Sequence, residues 1–200
     1  MTTFLLIRHA ETDAVGKIIA GSASGWHLNA RGRQQADRLA LRLASIPIQA
    51  IYTSPLERAI ETAGPVARNQ GVEPRTIDDL GEIRLGAWEG MAIAELDRRE
   101  DWRRFNTFRG GVRAPGGELM LETQVRMVGQ LERLHALHSN GAVAVVSHGD
   151  PLRAAIACFL GIPLDLLLRF EIAPASVSVL HFDDWGARVM CLNATEEIPV

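Results

Sequence analysis

The chain has 200 residues, of which 47% are hydrophobic and 22% charged, and its formal charge is −3. This composition excludes disordered, collagen-like and membrane-embedded classes, and the length suits one α/β domain spanning residues 1–200. Because 21 basic residues stand against 24 acidic ones, we expect neither nucleic acid nor a membrane surface as a partner.

The first apolar run of the chain, Phe4 to Ile7, ends at Arg8. It is too short for a signal sequence, and no stretch is apolar enough for a membrane span, so we expect a cytoplasmic protein. Cys158 and Cys191 lie far apart in apolar settings. They predict buried free thiols rather than a disulfide.

Short β-type runs alternate with longer helical patterns, which is typical of βαβ units on a mostly parallel sheet. A strand over residues 3–7 is followed by a helix for which Asn29 is the predicted N-cap. The next strand, 50–53, leads into SPLERAIETA, where Ser54 and Glu57 predict a Ser-x-x-Glu capping box. The sequence therefore predicts an α/β fold.

The middle of the chain, residues 78–117, is less regular and contains an Arg- and Trp-rich helical stretch. An irregular insertion of this kind usually covers a site. A long amphipathic helix follows over residues 118–139, with Leu121, Val125 and Leu134 on its predicted core face.

The last third of the chain continues the alternation. Residues 142–146 form a fully apolar run, typical of a strand buried on both faces of a parallel sheet. The next helix has Asp150 as its predicted N-cap and Gly161 at its end. Residues 175–193 alternate like two strands joined by a tight turn at 184–186.

Two of the predicted strands run directly into a histidine. Arg8 and His9 follow the first strand, and Ser147 and His148 follow the fully apolar one. In an open parallel sheet the loops at the carboxyl ends of the strands gather at one edge, so we expect both imidazoles there. Arg58 reaches the same edge from the helix after the second strand.

This set of side chains suits a phosphoryl group. Two arginines present charged planar forks to a tetrahedral dianion, a neutral imidazole is a competent nucleophile toward phosphorus, and a second donor stabilises the equatorial oxygens. An acid must still protonate the departing oxygen, and Glu82 or Glu89 in the irregular segment could supply it. Its pKa would have to be raised above about 4.3 by burial.

Five segments in this order resemble the histidine phosphatase superfamily, in the branch that includes cofactor-dependent phosphoglycerate mutase and fructose-2,6-bisphosphatase: LLIRHAETD, SPLERAIETA, LGEIRLGAWEG, APGGE and VVSHGDPLR. The resemblance implies a phosphoglycerate mutase-like fold, a three-layer α/β/α sandwich with a mostly parallel central sheet. It implies that His9 becomes the phosphohistidine and that Glu82 is the proton donor that later activates water. Arg8, Arg58 and His148 then form the phosphate pocket, with no metal ligand in the site.

Small residues beside these side chains complete the predicted substrate-binding set, namely Ala10, Ser147 and Gly149. The family usually has glycine where this chain has Ala10, and we expect the methyl group to be tolerated if φ is negative. The family's Gly-Gly-Glu-Ser segment is Gly-Gly-Glu-Leu here, at residues 116–119. This change removes a hydroxyl that could contact the substrate.

Other charged side chains have simpler interpretations. Arg153 is expected to be a structural partner of a buried carboxylate. His135 and His138 lack a third ligand in register and predict an exposed helix face rather than a metal site. For the arginines of the irregular segment, the sharper hypothesis is that one or two face the pocket and bind a second anionic group. They are Arg98, Arg99, Arg103, Arg104, Arg109 and Arg113.

The predicted function is a metal-independent phosphatase that hydrolyses a small phosphorylated metabolite through His9, with an insertion at about 83–118 covering the substrate. The alternative is a phosphoglycerate mutase, an isomerase that would need 2,3-bisphosphoglycerate as cofactor; otherwise we expect no cofactor. The stretch from Glu82 to His148 is shorter than in the family's mutases, which favours hydrolysis. A phosphate-binding module without chemistry is the third alternative. The apolar tail strand leaves a homodimer open.

Overall fold

The computed structural model describes residues 1–138 and 140–198. The strands within these residues are β1 (Thr2–Arg8), β2 (Ile48–Thr53), β3 (Pro74–Thr76), β4 (Gly141–Ser147), β5 (Val177–Asp183) and β6 (Gly186–Ala194). The α-helices are α1 (Ala30–Arg42), α2 (Glu57–Gln70), α3 (Ile93–Leu96), α4 (Glu100–Thr107), α5 (Met120–Leu137) and α6 (Gly149–Leu160). Short 3-10 helices lie at Asp78–Leu80, Gly86–Trp88 and Leu164–Arg169.

The strands form one sheet in the order β3-β2-β4-β1-β5-β6. The first four are parallel to their neighbours, whereas β5 pairs antiparallel with both β1 and β6. Side chains alternate along a strand. Leu5 and Ile7 of β1 therefore pack against α1 and α2, and Phe4 and Leu6 pack on the opposite face against α5 and α6. The predicted three-layer α/β/α sandwich with a mostly parallel sheet is confirmed.

Several boundaries follow the sequence pattern. Asn29 caps α1, because its Oδ1 accepts a hydrogen bond from the Gly32 N–H at 2.8 Å. Gly161 ends α6 with a φ of 66°, a left-handed conformation that glycine adopts without strain. The tail forms the predicted hairpin, in which β5 and β6 are joined by a tight turn at 184–185.

The predicted capping box of α2 is wrong, because the helix begins only at Glu57. The Ser54 N–H continues the sheet by donating to the Val146 carbonyl at 2.9 Å. Its hydroxyl lies 2.7 Å from Nε2 of His148, and the Glu57 carboxylate accepts from the Gly25 N–H at 3.1 Å. Both side chains are therefore engaged by other elements.

The predicted N-cap of α6 is also wrong. His148 occupies the cap position and Asp150 lies in the first turn, where a negative charge is favoured by the helix dipole. Its carboxylate accepts hydrogen bonds from Arg109 at 2.6 Å and from Arg153 at 3.5 Å. Asp150 is thus held by ion pairs rather than by the helix backbone.

The core face of α5 is rotated from the predicted one by about one residue, which is about 100° around a helix. Leu121 and Val125 are 48% and 64% exposed. Leu134 is buried as predicted, and Met127 is buried although it was not predicted to be. The predicted end of this helix at Ser139 lies outside the described residues.

The cysteines are both free, but Cys158 is exposed and Cys191 is only partly buried, so the predicted burial of Cys158 is wrong. The buried side of α6 is formed by Leu152, Ala155 and Ile156, and Cys158 projects away from it. In the described part of the chain, every helix is too short or too polar to span a membrane.

The segment from 83 to 118 has an apolar cluster of its own. The rings of Trp88 and Trp102 are 5.2 Å apart, and Phe105 completes the aromatic group. This cluster packs on Ala154 and Ala157 of α6. Since α6 begins directly after β4, the contact places the segment beside the carboxyl ends of the parallel strands.

Candidate active site

Neighbouring strand ends bring the two histidines together. Arg8 at the end of β1 lies opposite Ser147 at the end of β4. The His9 N–H extends this pairing by donating to the Ser147 carbonyl at 2.8 Å. His9 and His148 therefore leave the sheet side by side, and their ring centroids are 5.1 Å apart. The strand pattern of the sequence predicts this convergence correctly.

The ring of His9 is buried and has a defined proton position. Nδ1 lies 2.7 Å from the Ala10 carbonyl, which can only accept, so the ring proton resides on Nδ1. Burial, and then the charges of Arg58 and Arg8, lower the pKa of His9 to about 3. The imidazole is consequently neutral near neutral pH, and Nε2 keeps a free lone pair for nucleophilic attack.

His148 lies behind His9 and is completely buried. Its Nε2 is 2.7 Å from the Ser54 hydroxyl, and its Nδ1 has no hydrogen-bond partner among residues 1–138 and 140–198. Burial, and then the neighbouring His9, hold the pKa of His148 well below its ordinary value. In the tautomer in which the Ser54 hydroxyl donates to Nε2, the proton of the His148 ring resides on Nδ1.

Two buried arginines stand beside the imidazoles. Arg8 donates from Nη1 to the Ile172 carbonyl at 2.6 Å, while its Nε is buried with no partner in the described part of the chain. Its guanidinium lies so near Gly149 that a Cβ there would be 3.5 Å from Cζ. Arg58 is 1% exposed, and Nη2 donates to the Gly21 carbonyl at 2.7 Å. Among the residues that the structure describes, neither cation has a carboxylate within ion-pair distance, so both can bind an anion.

A cavity of about 280 Å³ opens at this edge of the sheet and is lined by Arg8, His9, Arg58 and Glu82. Gly149 contributes backbone to the same lining. An apolar wall faces them, formed by Val15, Ile18, Ile19, Ile93, Trp102 and Leu168. The loop after β1 and the segment from 83 to 118 thus enclose a site with a charged end and an apolar side.

The structure distinguishes between the two candidate acids. Glu82 lines the cavity, and burial together with the charge of Asp150 raises its pKa to about 7. Glu89 instead accepts hydrogen bonds from the Ser22 and Leu85 N–H groups at 3.0 and 2.9 Å. Glu89 therefore joins two loops, and Glu82 is the carboxyl group that can hold a proton in the cavity near neutral pH.

Two of the predicted substrate-binding residues support the site from behind. The Ala10 methyl packs in a small apolar cluster with φ negative, and its N–H donates to the Thr62 hydroxyl at 2.9 Å. The Ser147 hydroxyl donates to the Leu80 carbonyl at 2.7 Å. Neither side chain is part of the cavity lining, and the His148 ring is not part of it either, whereas Gly149 is. Substrate contacts from Ala10, Ser147 and His148 stay a prediction.

The site matches a known family. A family model described as histidine phosphatase superfamily (branch 1) matches residues 4–195. The chain belongs to the histidine phosphatase superfamily. Among curated relatives, phosphoserine phosphatase 1 of Hydrogenobacter thermophilus is 34% identical over 98% of this histidine phosphatase and 93% of the relative.

Two further relatives extend the comparison. A protein named probable phosphoglycerate mutase GpmB, from Escherichia fergusonii, is 31% identical to this histidine phosphatase. The alignment covers 92% of this chain and 86% of the relative. A phosphoserine phosphatase variant from Entamoeba histolytica, solved in complex with phosphoserine, is 27% identical. It superposes with a TM-score of 0.88 over 98% of both chains.

Among the arginines of the irregular segment, Arg109 lines the cavity of this histidine phosphatase. It is 5% exposed and donates to Asp150 at 2.6 Å and to Asn106 at 2.7 Å, while its Nε is buried without a partner in the residues described. Arg153 also lines the cavity and pairs with Asp150, as predicted for a structural partner. The remaining arginines lie outside the lining: Arg98, Arg99, Arg103, Arg104 and Arg113.

The paired histidines of α5 lie at the other end of the sheet. His135 Nδ1 is 2.7 Å from the Thr2 hydroxyl, and His138 Nε2 is 2.9 Å from the Tyr52 hydroxyl. Both rings are partly buried, which corrects the predicted exposed face. Within the described ranges, no group of three or more His, Cys, Asp or Glu side chains is placed to hold a metal ion.

The contacts of three residues that shape the site are not predicted from the sequence. Ser54 and Asp150 have the sequence context of helix caps, which conceals their contacts with His148 and Arg109. Arg126 sits within α5 and donates to the backbone around Glu82. No local pattern in the sequence signals a contact of this kind.

Proposed function

We propose that this histidine phosphatase hydrolyses a small phosphomonoester in two steps, with His9 as the nucleophile and no metal ion. The observation that carries the proposal is the composition of the cavity. A neutral imidazole with a free Nε2, two guanidinium groups bonded to backbone carbonyls rather than to carboxylates, and a carboxyl group with a pKa of about 7 line the same 280 Å³ space.

In the first step, Nε2 of His9 attacks phosphorus and the bond between phosphorus and the ester oxygen breaks. The proton of Glu82 moves to the departing oxygen, which leaves as an alcohol. Arg8 and Arg58 balance the charge on the phosphoryl oxygens, and Nδ1 of His148 supplies a further donor. These groups provide the charge stabilisation that a metal ion would otherwise give.

In the second step, the Glu82 carboxylate takes a proton from a water molecule as that water attacks the phosphorus of the phosphohistidine. The bond between phosphorus and Nε2 of His9 breaks, and inorganic phosphate is released. Glu82 is protonated again and the imidazole is neutral, so the site returns to its starting state.

For the alcohol part of the substrate, we propose a compact group with charges of both signs, such as the serine of phosphoserine. Next to the phosphate end of the cavity, the Asp150 carboxylate suits an ammonium group, and Arg109 and Arg153 suit a carboxylate. The buried Nε of Arg109 has no partner in the described part of the chain and is a donor for that carboxylate. The names of two relatives, both phosphoserine phosphatases, support this choice.

A panel of esters tests the proposal through phosphate release. O-phosphoserine is expected to give the highest kcat/KM, ahead of phosphoethanolamine, which lacks the carboxylate, and phosphoglycerate, which lacks the ammonium group. Arg109→Met should raise KM for phosphoserine and spare p-nitrophenyl phosphate, whereas Arg104→Met on the exposed side of α4 should change neither. Equal kcat/KM values for all four esters would contradict the substrate class while leaving the phosphatase chemistry in place.

Phosphoglycerate mutase is the second candidate, because one relative carries that name. In a mutase the phosphohistidine of His9 would return its phosphoryl group to a sugar acid rather than to water. The enzyme is incubated with 3-phosphoglycerate, with and without 2,3-bisphosphoglycerate. Hydrolysis predicts phosphate release that exceeds interconversion under both conditions, and cofactor-dependent interconversion in excess of phosphate release supports the mutase instead.

A further inference from the structure

The general acid lies on a segment that no helix or strand holds in place. Glu82 sits between the 3-10 helices at Asp78–Leu80 and Gly86–Trp88, and residues 81–85 have irregular backbone. An acid must stay within hydrogen-bond reach of the oxygen that it protonates. The position of this carboxyl group therefore depends on contacts from elsewhere in the fold.

Arg126 of α5 makes five hydrogen bonds, as many as a guanidinium has N–H groups. Nη1 donates to the carbonyl oxygens of Asp79 and Gly81 at 2.6 and 2.8 Å, and Nη2 donates to the carbonyl of Glu82 at 3.1 Å. Nε and Nη2 also donate to the Glu118 carboxylate at 3.1 and 3.3 Å. One rigid fork thus binds three carbonyl groups of the segment that carries the acid.

Glu118 holds the other side of the same segment. Its side chain is 4% exposed, and Oε2 accepts from the Arg84 N–H at 2.8 Å. Its own N–H donates to the Arg84 carbonyl at 2.8 Å. Gly117 permits this approach, because a Cβ there would lie 2.1 Å from the Arg84 carbonyl oxygen. The Gly-Gly-Glu sequence therefore forms a close backbone contact two residues beyond the acid.

We propose that Arg126 and Glu118 form a positioning pair for the general acid, an inference that rests on the proposed function. The pair fixes the backbone on both sides of Glu82, so that its carboxyl group stays within reach of the departing oxygen. Neither residue is in the lining of the catalytic cavity; both line a neighbouring cavity, and Glu82 lies in the lining of both. The pair is therefore assigned a positioning role that acts through Glu82. Loss of the pair weakens protonation of the leaving group and leaves phosphate binding by Arg8 and Arg58 in place.

The test compares two esters that differ in their need for an acid. The phenolate of p-nitrophenyl phosphate departs without a proton, whereas the alkoxide of glycerol 2-phosphate needs one. Glu118→Gln and Arg126→Met are expected to lower kcat/KM for the alkyl ester by about 10- to 100-fold and for the aryl ester by less than about threefold, since small misplacements of a catalytic group are costly. Glu132→Gln is the control, because Glu132 lies on the same helix, is exposed and should change neither value.

Glu82→Gln, measured alongside, separates this inference from the proposed function. The positioning role is contradicted if Glu82→Gln selectively loses the alkyl ester while Glu118→Gln and Arg126→Met lower both esters equally. If Glu82→Gln itself lowers both equally, the acid role in the proposed function fails and the positioning role fails with it. Circular dichroism checks folding. Where Arg126→Met does not fold, Glu118→Gln and Arg126→Lys decide by the same ratio, and Arg126→Lys should show an intermediate selective loss.

Discussion

Glu82 titrates in surroundings that favour its uncharged form, and it should make folding stability depend on pH. Its pKa is about 7 in the folded protein, because burial and then Asp150 disfavour the carboxylate, against 4.5 for an ordinary glutamate. Because the folded value is the higher one, the contribution is fully present below the unfolded pKa and is lost as pH rises through the folded pKa. At about 1.4 kcal/mol for each pKa unit, the loss from about pH 5 to about pH 8 is about 2.5 kcal/mol.

The perturbation is Glu82→Gln, which keeps the shape and removes the titration. Urea unfolding of both proteins across this pH range, followed through the fluorescence of the four tryptophans, gives the free energy of unfolding at each pH. The wild type minus variant difference should fall by about 2 to 3 kcal/mol as pH rises. The subtraction is necessary because the lowered pKa values of His9 and His148 act oppositely, removing stability as pH falls below about 6.5.

A difference that stays constant to within about 0.5 kcal/mol across the range would refute this reasoning. The surroundings of Glu82 would then not raise its pKa, and the proton that the mechanism assigns to this carboxyl group near neutral pH would be absent. A difference that grows as pH rises would indicate a lowered pKa and would point to a carboxylate held by Arg58 or Arg8.

Three further results are expected. In a pH profile, kcat/KM should decrease as pH rises through about 7, where Glu82 loses its proton, and a flat profile through this range would contradict the acid role. Ser54→Ala removes the hydroxyl beside Nε2 of His148 and should lower kcat by about tenfold in steady-state assays. An unchanged kcat would show that this hydrogen bond does not support catalysis. Gly117→Ala should lower the free energy of unfolding in urea by about 1 to 3 kcal/mol, because the new Cβ meets the Arg84 carbonyl oxygen. Gly129→Ala on α5 should raise it by about 0.5 to 1 kcal/mol. Equal effects of the two substitutions would contradict this expectation.

The placement of the histidines could be predicted because it follows from local signals. The runs that end at Arg8 and at Ser147 are apolar enough to be strands, and the carboxyl ends of parallel strands share one edge. Both His9 and His148 are therefore expected at that edge, but the pattern does not say that they are neighbours. The two histidines are neighbours because β1 pairs with β4 in the sheet, and their ring centroids are 5.1 Å apart.

The errors at the starts of α2 and α6 arise where two elements compete for one side chain. Ser54 has the sequence of a helix cap, but the extension of the sheet and the contact with His148 engage its N–H and its hydroxyl. Asp150 has the same context and pairs instead with Arg109, which lies 41 residues earlier. Such partners are distant in sequence, so a local pattern contains no information about them.

The sequence pattern alone also could not separate Glu82 from Glu89 as the general acid. Both lie in one irregular segment, and only the resemblance to the family favoured Glu82 at the level of sequence. In the structure the Ser22 and Leu85 N–H groups bind the carboxylate of Glu89, while Glu82 faces the cavity. The contacts of Arg126 with the backbone around Glu82 were equally invisible, since they join a helix to a loop about 45 residues away.

His9 should carry the phosphoryl group during turnover, and detection of that phosphohistidine is the direct test of the proposed chemistry. The enzyme is mixed with an ester and denatured in alkali within the first turnovers, since phosphohistidine is lost in acid, and the peptides are mapped by mass spectrometry. Phosphate is expected on His9, should disappear when the ester is exhausted, and should be absent from His9→Ala. Sustained hydrolysis with His9 unmodified, or phosphate found on another side chain, would contradict it.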